Sequence, residues 1–329
     1  MRHIVITERG SAVRLRDGLC TIEAGGKVLL QEPMSRIASL TLTKSSSVTS
    51  DFILACSARG IAVHFIGWNG MSTAAIDGLH SHAVVSLRKS QFSLVDDGPR
   101  CFALARSLMC GKLANQRAVL LYFAKSRNET ALSAAAEAIA SMEDEMASLK
   151  YSPQGEGRTG WRYDLLGLEG RSANAYWRAL REASLLADTF QSREGRGSSE
   201  VANQALNYGY AVLGTRVWQC IVKSGLEPYA GFLHTDRPGK ASLVLDMIEL
   251  FRAWAVDRNV IKIRAELNLS GISDSNKSRL IKEVYKTFKT RHSYKGKKLA
   301  LETIMQRQVY ALCASIVRGV PFRPFRFKW

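Results

Sequence analysis

Hydrophobic and polar positions change rhythm once along this chain, near residue 98. Before it, short β-prone runs alternate with turn residues: Ile4-Val5-Ile6-Thr7, Ala12-Val13-Arg14-Leu15, Leu19-Cys20-Thr21-Ile22 and Lys27-Val28-Leu29-Leu30. Gly10, Asp17-Gly18 and Gly25-Gly26 stand between them, where hairpin turns require a positive φ. Ile37 to Leu42 and Ile61 to Ile66 repeat the strand pattern, and Thr49 to Gly60 reads as one helix with Ser50 or Asp51 as its N-cap.

Beyond that point apolar residues recur at helical spacing. From Cys101 to Ser126 the stripe is Phe102, Ala105, Met109, Leu113, Leu120 and Phe123, broken only by Gln116, and such a stripe is core. An Ala-rich helix follows over Thr130 to Leu149, then a loop over 151–160. Further helices are predicted near 161–182, 200–224, 240–257, 274–290 and 297–318, with a mobile Gly/Ser/Arg-rich loop from Gln191 to Ser199. The expected fold class is α+β. It comprises a small N-terminal β-rich domain over 1–85, a linker over 86–98, and a larger all-helical domain over 99–329.

Charge adds a partner to this picture. The 329 residues carry a formal net charge of +17, which favours a polyanion. The excess is localised: residues 261–329 hold 16 Lys or Arg and 4 Asp or Glu, whereas residues 1–85 hold 8 and 6. A solubilising charge gains nothing from clustering, so the last fifth of the chain reads as a binding surface. Lys282, Lys286 and Lys289 share one helix face and suit phosphate contacts, although a plain solvated face has the same spacing. The C-terminal Pro321 to Trp329 interleaves aromatics with bases and suits docking on the domain or stacking on nucleic-acid bases. No C-x-x-C pair occurs among the six cysteines, which speaks against a zinc knuckle. No apolar run approaches the ~20 residues that cross a bilayer, and the N-terminal run is too short for a signal peptide. A cytoplasmic protein without membrane contact is the expectation.

Chemistry enters through one histidine and three acids. Glu169 lies on a helical stretch, with Tyr176 almost on the same face. His234 precedes the Asp236-Arg237-Pro238-Gly239 turn. Asp246 and Glu249 are neighbours at i and i+3 on an otherwise apolar helix. Carboxylates plus an imidazole suit a hard divalent cation, Mg²⁺ or Mn²⁺. Ordinary ion pairs would satisfy the same acids: Arg171 or Arg178 for Glu169, Arg252 for the acid pair. A metal site in a basic chain points to phosphodiester chemistry, with water as nucleophile for cleavage or a 3′-hydroxyl for strand transfer.

At these residues the chain resembles the CRISPR-associated integrase that captures new spacers, the larger subunit of the adaptation complex. The resemblance spans essentially the whole chain. Its specific segments are Glu169-Gly170 through Tyr176-Trp177, Asn203 through Tyr210, and Gly231-Phe232-Leu233-His234-Thr235-Asp236-Arg237-Pro238-Gly239 followed by Ser242 through Glu249, with Lys112 through Arg117 as a supporting match. It implies metal ligands at Glu169, His234 and Glu249, the last being Asp in some members, with Asp246 as a supporting residue or further ligand. It also implies a homodimer formed through the β domain and a small companion subunit; Arg237, Lys240 and the lysine face are the residues expected to contact DNA. The expected function is metal-dependent DNA cleavage and integration of captured fragments into a repeat array. A relative serving a mobile element, or an inactive nucleic-acid-binding protein, are the alternatives.

Overall fold

The computed structural model describes residues 2–6, 8–43, 45–67, 72–76, 85–153, 160–195, 197–267 and 271–328. The chain divides into two compact units, Met1–Ala83 and Val84–Trp329.

The first unit contains β1 (Arg2–Ile6), β2 (Ala12–Arg16), β3 (Leu19–Ala24), β4 (Lys27–Pro33), β5 (Ile37–Thr43), β6 (Ser47–Val48), α1 (Ser50–Ala58), β7 (Ala62–Ile66) and β8 (Ser72–Ile76). One sheet runs β4-β3-β2-β6. Its hairpins turn at Asp17-Gly18 and Gly25-Gly26, all four residues at positive φ, as the turn chemistry requires. The turn at Gly10 forms no hairpin. Instead β1 pairs in parallel with β5 and β5 with β7, in a second sheet ordered β1-β5-β7-β8. Parallel pairing fits β5, whose Ile37, Ser39, Leu40, Thr41 and Leu42 are all buried. Thr49 caps α1 without a side-chain bond, so neither Ser50 nor Asp51 is the N-cap. The two sheets and α1 share a core of Val13, Cys20, Leu40, Leu42, Phe52 and Val63.

In the second unit the segment expected as a linker is helical. Val85–Asp96 forms α2, and Asp97 caps α3 (Gly98–Arg127) by accepting from the Arg100 N–H. Residues 77–84, at the end of the expected β-rich domain, and 154–159 of the expected loop lie outside the described residues. Every residue of the predicted α3 stripe is buried, and so is its polar break Gln116, because this 30-residue helix is packed on most sides. Then come α4 (Thr130–Ser148), α5 (Trp161–Glu182), α6 (Val201–Lys223), α7 (Ser242–Ile248), α8 (Arg258–Lys262) and α9 (Asp274–Lys289). A hairpin of β9 (Arg291–Tyr294) and β10 (Lys297–Ala300) precedes α10 (Leu301–Arg318).

Three expectations change here. The helix predicted over 240–257 breaks after Ile248 and resumes as a π-helical turn at Ala253–Asp257. The Leu250 carbonyl leaves the helical ladder because Asn115 Nδ2 donates to it at 2.8 Å. The helical unit is not wholly helical, since Lys295 (φ 47°) and Gly296 (φ 79°) turn the chain into the β9–β10 hairpin. The 191–199 segment is tied to α6: Asn203 Nδ2 donates to the Ser192 carbonyl at 2.9 Å and Asn207 Nδ2 to the Gly195 carbonyl at 2.7 Å.

The C-terminal segment docks. The Phe325 N–H donates to Gln308 Oε1 at 2.8 Å, the Phe327 N–H donates to Asn115 Oδ1 at 2.9 Å, and the Phe327 ring stacks on Trp254 with centroids 4.9 Å apart. Gly111 permits this packing, since a Cβ there would collide with Pro324 and lie 2.6 Å from a Leu250 methyl.

Candidate metal and nucleic-acid site

Three helices and one loop carry the site. Glu169 projects from the middle of α5, its side chain 23% exposed. Glu249 is the C-cap of α7, its side chain 6% exposed. Between the two carboxylates stands Lys112 of α3, whose ammonium pairs with Glu169 Oε1 and lies 2.7 Å from Glu249 Oε2. The other Glu249 oxygen pairs with Arg252 Nη1 at 2.5 Å. Burial by itself would raise the Glu249 carboxyl, but Arg252 and Lys112 outweigh it and hold it down at about 2.

Asp246 behaves differently from its helical neighbour. It is fully buried, and its Oδ2 accepts from the N–H groups of Phe232 (2.6 Å) and Leu233 (3.1 Å). Its Oδ1 accepts from the His234 N–H (3.1 Å) and faces His234 Nδ1 at 2.6 Å. A carboxylate in this position accepts only, so Nδ1 carries the proton and Nε2 keeps its lone pair for another partner. Gly231 lets the loop close on α7, because a Cβ there would stand 2.7 Å from the Ser242 side chain. Of the two roles open to Asp246, supporting residue or further ligand, this geometry favours the first: both its oxygens are occupied by the loop, and it orients the imidazole. Asp246 and Glu249 also do not share a cation, since Asp246 holds the His234 loop and Glu249 meets Lys112 and Arg252.

Behind Arg252 lies a buried network. Its guanidinium covers the Tyr210 ring at 4.2 Å. The Tyr210 hydroxyl donates to Asp257 Oδ1 at 2.5 Å, and the Tyr176 hydroxyl donates to Oδ2 at 3.1 Å. Burial pushes the Asp257 carboxyl up to about 6, against the lowering effects of Tyr210, Arg252 and Tyr176. Native Asp257 thus keeps a proton that the unfolded chain has lost, between pH ~4 and ~6. Native stability contributed by this group falls as pH rises through that window. Asp257→Asn removes the dependence, so the stability advantage of wild type over the variant is expected to shrink from pH 4 to pH 6.5, and urea midpoints at the two pH values check it.

The DNA-facing residues chosen from sequence divide by exposure. Arg237, Lys282, Lys286 and Lys289 are exposed, and Lys240 is half-buried in the turn. The lysines line the outer face of α9, whose Leu280, Ile281, Val284 and Phe288 are buried. Sequence reasoning did not assign roles to Lys112, Tyr210 or Asp257. The readable signals were an ammonium and a carboxylate on helical runs that are otherwise apolar, which need partners when buried.

The donor set suits a hard divalent cation: two carboxylates from different helices and an imidazole whose Nδ1 is anchored by a third, Asp246. Glu249 Oε2 is buried and meets the Lys112 ammonium at 2.7 Å. As the side chains stand, no three His, Cys, Asp or Glu groups among the described residues converge closely enough to hold an ion. The place between the carboxylates belongs to Lys112.

Fold and site together define a class: a two-unit α+β chain with an N-terminal β unit and a helical unit bearing a carboxylate–imidazole constellation beside a basic helix. A family model for CRISPR associated protein Cas1 matches residues 4–291. The chain belongs to this Cas1 family. It is 38% identical over 331 residues to CRISPR-associated endonuclease Cas1 1 of Francisella tularensis subsp. novicida (strain U112), covering 100% of both chains. In fold it is similar to a casposase bound to integration product (TM-score 0.81, 19% identity, 98% of this chain and 93% of that one). It is also similar to a Cas6-RT-Cas1–Cas2 complex (TM-score 0.76, 17% identity, 100% of this chain and 36% of that one).

Proposed function

We propose that this chain is a divalent-metal-dependent DNA endonuclease and integrase that inserts captured fragments as new spacers into a CRISPR array. The observation that carries the proposal is the convergence of Glu169 and Glu249 on one cationic point, with His234 oriented by the helix that ends in Glu249. Relatives named CRISPR-associated endonucleases, and a structural neighbour bound to an integration product, support the reaction class.

Glu169, His234 and Glu249 would hold Mg²⁺ or Mn²⁺. When bound, such an ion supplies positive charge against a scissile phosphodiester and lowers the pKa of an attacking hydroxyl or water. The chain's own residues do the rest. Asp246 keeps the imidazole proton on Nδ1 and the ring aimed. Arg252 fixes one oxygen of Glu249, and Tyr210 fixes Arg252. The α9 lysines and Arg237 hold DNA phosphates without reading sequence. Integration at a repeat calls for two such sites at a fixed spacing. A homodimer built through the β unit and joined by a small companion subunit would supply that geometry; the Cas6-RT-Cas1–Cas2 neighbour supports a Cas2 partner. Among the described residues no helix is long and apolar enough to cross a membrane. The substrate of this reading is double-stranded or branched DNA.

A mobile-element integrase of similar fold is the second reading, favoured by the casposase match. The 38% identity to a CRISPR-associated relative over the whole chain outweighs a 19% likeness in fold. The test is cleavage and strand joining on a branched DNA with a free 3′-hydroxyl, in Mg²⁺, Mn²⁺ or chelator. Product in either metal, none in chelator and none with His234→Ala is the expected result. Equal product in chelator overturns the proposal.

A further inference from the structure

Two bases hold the two acids of this site, and they are held differently themselves. Among the described residues, Glu249 is the one acid that pairs with Arg252. Its guanidinium is pressed against Tyr210, whose hydroxyl is bonded to the buried Asp257, so it has no second position without breaking that stack. Lys112 binds both acids and is 6% exposed. Its ammonium sits at the end of a flexible four-carbon stem on α3, and no side chain other than the two glutamates pairs with it among the described residues. Two carboxylates and two bases make the cluster neutral. A divalent cation added to it would leave two surplus positive charges in a mostly buried place, where like charges at such distances repel strongly.

We propose that Lys112 is the resident counter-cation of the metal-free site: it holds Glu169 and Glu249 together until a divalent cation takes its place between them, while Arg252 stays on Glu249. The proposal rests on the reading that the ion binds at these glutamates. Lys112 is a positioning residue that acts through both acids. It keeps two like charges on separate helices from repelling each other before metal arrives, and it makes metal binding a displacement. Because the ammonium competes with the ion, removing it strengthens metal binding while weakening the empty fold. A residue that merely supported the structure would weaken both.

The experiment is Mn²⁺ binding to the full chain without DNA, followed by electron paramagnetic resonance at one fixed pH, together with melting curves with and without Mn²⁺. Lys112→Met is expected to melt lower than wild type without metal, to bind Mn²⁺ at least about tenfold more tightly, and to gain more from Mn²⁺ on melting. Lys112→Arg retains the charge and the fold, and its less mobile guanidinium is expected to weaken Mn²⁺ binding. Unchanged or weaker binding by Lys112→Met overturns the proposal. Should Lys112→Met not fold, Lys112→Arg binding as tightly as wild type overturns it equally. Glu249→Gln separates the two readings: if it leaves wild-type Mn²⁺ binding intact, the metal lies elsewhere and the proposed function falls with it. If it abolishes binding while the Lys112 variants match wild type, only the displacement falls.

Discussion

Glu249→Gln is expected to lower cleavage and strand joining by roughly 10²–10³-fold while DNA affinity stays within a few-fold. That range corresponds to a few kcal/mol of lost charge stabilisation at the phosphodiester, the usual worth of a well-placed cation. Gln matches Glu in shape and still accepts from Arg252, so the loss is one of ligand charge. Glu249→Ala removes the same activity but adds a stability defect. It leaves Arg252 in the interior without its partner, and breaking a buried ion pair from one side costs about 3–5 kcal/mol. DNA affinity survives in both variants because the phosphate-binding lysines stand on α9, on a separate element. Single-turnover rates on a branched substrate, paired with a binding titration at matched salt, check it. Parallel loss of rate and affinity would place Glu249 in the DNA surface instead of at the ion.

Asp246→Ala should destabilise the fold on a scale comparable to Glu249→Ala. The carboxylate accepts from three backbone N–H groups and faces the His234 ring, with no exposure to water. Each buried donor left without an acceptor costs about 1–3 kcal/mol, and partial relaxation of the loop brings the sum to about 3 kcal/mol. In a unit of this size that is a fall of roughly 6–12 °C in Tm. The freed imidazole also loses its fixed tautomer, so Mn²⁺ affinity is expected to drop by about 10–100-fold in the fraction that folds. Asp246→Asn, which offers one acceptor oxygen and an amide that opposes a donor, should fall between the two. Calorimetry and Mn²⁺ titration check both parts. A variant with weakened Mn²⁺ binding and an unchanged Tm would show that the ion, and not the loop, is what Asp246 holds.

Much of this molecule was legible along the chain. Apolar spacing located α3, α4, α5, α6 and α9 to within a few residues, because each buries a stripe that only a period of 3.6 produces. The Asp17-Gly18 and Gly25-Gly26 hairpins were legible for the same kind of reason: the backbone conformation they need excludes most other residues. Localised charge pointed to α9. The acids and the histidine stood out as polar groups in apolar surroundings.

Strand pairing was not legible, since β1, β5 and β7 find partners tens of residues away and a turn glycine at residue 10 says nothing about which strand returns. Nor was the break after Ile248, which depends on an amide from α3 reaching a carbonyl on another element. The roles within the site belong to the same class. By spacing and surroundings alone Asp246 and Glu249 are equivalent, both acids on one apolar helix; the family resemblance separated them without giving the physical reason. They part company only because three loop N–H groups meet one and two bases meet the other. A linear pattern records which groups need a partner when buried; the partner itself is chosen by contacts across helices, and Lys112 between two glutamates is such a choice.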